Sequence, residues 1–98
     1  MPAYLISDVT VRDPAAFETY RMRAAASIEA LGGRYLVRGG EITVLEGPHH
    51  PTALVIVEFP DTATAKQWYA SREYAAALEV RDQALVRNLV LVDGVNVA

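Results

Sequence analysis

Two segments of the chain, ALVIVEF at residues 53–59 and NLVLV at residues 88–92, are apolar at nearly every position instead of every second one. An antiparallel strand with helices on one side and water on the other alternates apolar and polar residues. Both faces of these strands are apolar, so both need cover. A chain of 98 residues is read as one domain, residues 1–98, with one core. Its helices suffice for one face of a sheet. The second face is expected to pack on a second copy, giving a homodimer joined sheet to sheet.

The order of elements follows from local signals. Residues 3–11 alternate in a β-rich composition and read as a strand. A helix then opens with Asp13 as N-cap and Pro14 at its first position, carries Phe17, Tyr20, Ala24, Ile28 and Leu31 on one stripe, and closes on Gly32 and Gly33. Residues 34–37 form a second strand with Arg34 and Arg38 on one face. Gly39 and Gly40 break or bulge it, and EITVLEG at 41–47 is expected to resume as a continuation or a paired arm. TALVIVEF at 52–59 is a strand that Pro60 stops, with Leu54, Ile56 and Glu58 sharing one face. Asp61 caps a helix through Tyr69, and Ser71 caps a separate one with Tyr74, Ala77, Leu78, Arg81 and Leu85 in a stripe. VRNLVLVDG at 86–94 is the last strand. The βαββαβ order predicts an α+β, ferredoxin-like antiparallel sheet with its helices on one face.

The run GGRYLVRGG, followed by EITVLEG, VIVEFP and WYASREY, resembles the domain of unknown function 1330 family of small dimeric α/β-barrel proteins. The likeness extends from YLISDVTVRDP to LVLVDG. It implies a ferredoxin-like subunit whose sheet packs on that of a second subunit, and it implies no activity. The family's helical break commonly reads Ser-Pro-Glu-Tyr, whereas this chain has SREY with Arg72 in place of proline. Ser71 still caps, so the break is expected to persist. The wider dimeric α/β-barrel group holds cofactor-free monooxygenases, haem-degrading enzymes and isomerases, and a shared fold does not carry chemistry across.

Several function classes are excluded by composition. Nine Lys and Arg against twelve Asp and Glu, a net charge of −3, leave no basic face for nucleic acid or an anionic membrane surface. No cysteine is present, which removes disulfides, thiolate nucleophiles and zinc–thiolate sites. His49 and His50 are adjacent in a Pro-flanked loop with no ligand spacing around them, so no metal and no cofactor are expected. The N-terminal residues lack a basic segment, and Asp8 interrupts the first apolar run. Neither a signal peptide nor a membrane span is read there, and a cytoplasmic protein is expected.

The remaining candidates point to a small acidic or enolisable ligand held between helices and sheet. Arg38, beside a glycine pair where backbone approaches closely, suits a carboxylate or enolate. Glu58, in an otherwise apolar run, is the candidate acid or base, or else the partner of a strand-end arginine. Tyr20, Trp68, Tyr69, Tyr74 and Arg81 would wall the pocket, with Arg81 or Asp8 satisfying the tyrosine hydroxyls. The alternative is a non-catalytic dimerisation module in which the same residues are core and interface.

Overall fold

The computed structural model describes residues 1–95. Strands β1 (Ala3–Val11), β2 (Arg34–Arg38), β3 (Leu54–Phe59) and β4 (Leu85–Asp93) and helices α1 (Pro14–Ala30), α2 (Thr62–Tyr69) and α3 (Arg72–Ala84) follow one another as β1-α1-β2-β3-α2-α3-β4. The sheet order is β2-β3-β1-β4 with every neighbour antiparallel, the ferredoxin-like arrangement. Along β1 the side chains of Ala3, Leu5, Ser7 and Val9 are buried beneath the helices. Val57, Phe59 and Leu85 join them from β3 and β4, and Tyr20, Ala24, Ile28, Trp68, Tyr74 and Ala77 close the core from the helical layer.

Each helix starts where a side chain takes over orphaned backbone donors. The Asp13 carboxylate accepts from the amides of Ala15 and Ala16, with Pro14 at the first position. Asp61 accepts from Thr64 and Ser71 from Tyr74, so the crossover does break in two at Ser71 with arginine where a proline would have stiffened the turn. At the end of α1, Gly32 adopts φ +85°, its amide donates to the Glu29 carbonyl at 3.2 Å, and the Gly33 amide reaches back to Ile28 at 2.9 Å. This is a Schellman closure. α3 runs into β4 with no loop, since Leu85 is already extended at φ −160°, ψ 164°.

Two local expectations are corrected. Residues 41–47 form no strand. A strand persists only beside a partner that takes its backbone groups, and the chain leaves β2 at Gly39, φ +72°, without returning to the open edge of β2. The segment instead stands clear of the sheet with Leu45 89% exposed. Arg34 and Arg38 do not share a face. Tyr35 pairs with Val57 but Val37 pairs with Ile56, so Leu36 is an inserted bulge residue, and one extra residue exchanges the faces of everything beyond it.

The backbone comes close to the core at Gly33, where a Cβ would meet Phe59 Cε1 at 2.8 Å and Ile28 Cγ2 at 2.9 Å. Gly33→Ala is therefore expected to lower stability by about 1–3 kcal/mol through overpacking. Gly40→Ala, where a Cβ meets nothing within 4 Å, should stay within about 0.5 kcal/mol of the parent. Urea unfolding midpoints of the two variants check this.

Candidate functional site

Between α1 and the helix-facing side of the sheet lies a cavity of about 370 Å³. A dry apolar cavity of about 150 Å³ accepts benzene, so this one has room for a body of two or three rings. Its floor is the sheet, with Leu5, Ser7 and Val9 of β1, Val55 and Val57 of β3, and Arg87 and Leu89 of β4; Phe17, Tyr20, Ala24 and Ile28 of α1 form the roof. Tyr35 and Arg38 close the β2 side, and the Arg38 guanidinium lies 3.8 Å over the Tyr35 ring. The exposed side chains of Glu18 and Arg21, paired at 2.6 Å, stand at the rim.

One end of the cavity is built from aromatic rings and one arginine. Trp68 stacks within 4.1 Å of Tyr74 and 5.7 Å of Phe59, centroid to centroid. Its indole Nε1–H donates to Ser27 Oγ at 2.9 Å, and Ser27 in turn donates to the Ala24 carbonyl at 2.7 Å. The hydroxyls of Tyr20 and Tyr74 are 2.7 Å apart. Arg87 donates to both of them, so a strand and two helices meet at three side chains.

The proton count at this cluster is informative. One phenol donates to the other, which leaves a second phenol proton with no acceptor among the described residues. No carboxylate among the described residues pairs with Arg87. Donors therefore exceed acceptors among these three side chains. Burial pushes the Tyr20 phenol far above its ordinary range, an effect Arg87 offsets only in part. Burial also raises Tyr35, against the opposing influence of Arg38.

Of the residues singled out in the sequence, Arg38, Tyr20 and Trp68 line the cavity, and Tyr74 stands behind Tyr20 and Trp68. Tyr69 and Arg81 border a separate polar cleft with Arg12 and Asp82, and Arg87 and Leu89 line both spaces. Glu58 sits on the opposite face of the sheet, its side chain 23% exposed and held by Arg34 at 2.7 Å. Period-two alternation groups it with Leu54 and Ile56, but alternation alone does not say which face looks toward the helices. The tyrosine hydroxyl oxygens accept from Arg87 in place of Arg81; Asp8 faces away from the cavity and meets His49 Nε2 at 3.2 Å. Arg87 and Ser7 were missed. The signal for Arg87 is its place between Leu85 and Leu89 on one strand face, a cation in an apolar row. Among the described residues no three His, Asp or Glu side chains converge as metal ligands, and no helix is long and apolar enough to cross a membrane.

Comparison with known proteins places this geometry among relatives. Residues 2–95 match the family described as domain of unknown function (DUF1330). The crystal structure of RPA0582, a protein of unknown function from Rhodopseudomonas palustris, superposes with a TM-score of 0.77 at 22% identity, covering 97% of this chain and 83% of that one. Its methylated form gives the same TM-score and identity over 97% and 82%. SnoaB, a cofactor-independent oxygenase from Streptomyces nogalater, superposes with a TM-score of 0.66 at 16% identity, covering 98% of this chain and 95% of that one. No curated protein matches the chain. These likenesses establish the fold, an α+β ferredoxin-like one.

The buried phenols give the cavity wall a pH signature. The folded protein keeps the Tyr20 proton that an unfolded chain releases near pH 10. Above that pH the unfolded state binds fewer protons than the native one, so stability is complete below pH 10 and falls as pH rises. Tyr20→Phe should cost about 1 kcal/mol at pH 8 through its lost hydrogen bonds. The variant's stability should then decline less steeply than the parent's between pH 10 and pH 11, as read from urea midpoints across that range.

Proposed function

The chain belongs to the DUF1330 family, and from that premise we propose that it binds a small acidic or enolisable molecule in the cavity between α1 and the sheet. The observation that carries this reading is Arg87. A guanidinium keeps its charge at any accessible pH, and here it lies half-buried at an apolar cavity without a carboxylate partner among the described residues. Its phenol neighbours supply a further donor. Such a cluster stabilises a carboxylate, or the enolate of a carbon acid, because charge-assisted hydrogen bonds strengthen where water is excluded. Arg38 at the β2 side is a second cation for the same ligand, and Trp68 and Tyr20 give it a flat aromatic wall.

The same groups define what kind of chemistry is supported. Glu18 is the single carboxylate among the described lining residues, and Arg21 holds it at the rim. Glu58 lies across the sheet and has no part in this reading. The cavity is therefore better equipped to hold and polarise an anion than to take a proton from it. A cofactor-independent oxygenase shares the fold at 16% identity, which is compatible with chemistry carried by the substrate itself.

We further propose that the protein works as a homodimer joined through the outer sheet face. On β4 the outward residues Val86, Val90 and Val92 are 58%, 56% and 47% exposed, and Ile6 and Ile56 lie beside Val90 along the register. Segment 41–47, with exposed Val44 and Leu45, would extend onto the partner. A contiguous apolar face of this kind is unusual on a monomer and usual in an interface.

Two outcomes follow. Thermal-shift screening of aromatic carboxylates and 1,3-diketones is expected to raise the melting temperature. Arg87→Gln should weaken binding roughly 10- to 100-fold, the worth of a hydrogen bond to a charged group, and Arg38→Ala should weaken it less. A dimer indifferent to every such compound would favour the non-catalytic dimerisation module instead. Val90→Asp should shift sedimentation from dimer to monomer at micromolar concentration while circular dichroism keeps the helical signal. A monomeric parent protein would overturn the interface.

A further inference from the structure

The molecule buries two serines, and only one of them is satisfied. Ser27 Oγ both donates, to the Ala24 carbonyl, and accepts, from the Trp68 indole. Ser7 Oγ, on a residue 5% exposed, has no hydrogen-bond partner among the described residues. A desolvated hydroxyl without a partner destabilises a fold, so its retention in a core position needs a reason. Ser7 is the one polar side chain on the cavity side of β1 and borders the cavity floor; its Oγ is itself closed to a water-sized group, so a turn about χ1 is needed to bring it to bear on a ligand.

Its neighbours on that floor are Val55 of β3 and Leu89 of β4, directly opposite it in register. Neither offers a polar atom. Arg87 lies opposite Val9, one step along the ladder, which places it diagonally from Ser7 at about 7–8 Å between backbones. The floor thus carries two hydrogen-bonding positions at a fixed spacing in an otherwise apolar surround.

Resting on the reading that an acid group sits at Arg87, we propose that Ser7 Oγ is the second polar contact of the same ligand. Turned about χ1 toward the cavity, it bonds a hydroxyl or carbonyl oxygen borne on the apolar body. The ligand class is then a hydroxy- or keto-substituted acid whose body fills about two fused rings, the size that a 370 Å³ cavity admits. Ser7 selects the oxygenated member of that class over its hydrocarbon parent, because a site built to bond an oxygen leaves its own hydroxyl unpaired when the oxygen is absent.

The test uses 2-naphthoate and its 5-, 6- and 7-hydroxy derivatives as probes, titrated calorimetrically into the full chain, Ser7→Ala and Arg87→Gln. At least one hydroxy isomer should bind the parent protein about five- to tenfold more tightly than 2-naphthoate, the worth of one net hydrogen bond. In Ser7→Ala that preference should vanish while 2-naphthoate binds unchanged. Arg87→Gln should weaken both probes alike. Ser7→Ala without ligand should melt at or above the parent's temperature, since it loses an unsatisfied group; a fall of several degrees would reveal a structural hydrogen bond and overturn the proposal. A preference that survives in Ser7→Ala, or no preference among isomers when 2-naphthoate itself binds, would also overturn it. If 2-naphthoate and its derivatives all fail to bind the parent at millimolar concentration, the acid-binding reading of the cavity falls, and the role of Ser7 with it.

Discussion

Arg87 reaches into the helical layer from β4 and holds the hydroxyls of Tyr20 on α1 and Tyr74 on α3. A guanidinium that has left water needs acceptors, since it does not shed its proton to avoid the cost of burial. Two phenols meet that need without neutralising the charge. Tyr20 lines the cavity from α1 with Ala24 and Ile28, and Arg87 lines it from the sheet. The charge thus stands at the wall of an otherwise apolar space.

The second organising fact is that the sheet has two apolar faces and a helical layer for one. Inward, Leu5, Val9, Val57 and Leu85 are sealed by helices. Outward, the valines of β4 remain in contact with solvent in the single subunit. The hydrophobic effect has no direction of its own, so the outer face calls for apolar cover as the inner one does. What differs is that the inner cover is covalently part of the chain, whereas the outer face is the one proposed to pack on a second copy.

The parts of this architecture that sequence makes legible are those decided within a few residues. Asp13 before Pro14, Asp61, Ser71 and the Gly32–Gly33 pair each act on backbone groups two to five positions away, and each stands in the structure where it was read. Features that depend on a distant partner were not legible. Residues 41–47 have strand composition, yet the chain turns off at Gly39 and does not pair with the open edge of β2. The bulge at Leu36 parts Arg34 from Arg38, and it arises from the register with β3 rather than from β2 alone. For the site, Arg38, Tyr20, Trp68 and Tyr74 were recognisable as aromatic and cationic groups at the right spacing, and three of them border the cavity. Glu58 drew attention for the same reason that Arg87 merited it, a charge within an apolar run. Alternation groups residues into two sets without labelling either set as inside, and that label decides between an ion pair on the outer face and a place at the cavity wall.

β4 runs straight out of α3 and carries Arg87, Leu89 and Leu91 on one side and Val86, Val90 and Val92 on the other. Nine residues thereby write two messages in alternate letters, one addressed to whatever occupies the cavity and one to the solvent side. With no loop at Ala84 to absorb a shift, the reading frame of the strand is fixed by the last turn of the helix. Gain or loss of a single residue there would swap the two texts. A change of two would preserve their facing while moving Arg87 a full step from its phenols. Substitutions along this strand can be accepted one letter at a time, but its length is not free to drift, and its two surfaces are bound to evolve on a common frame.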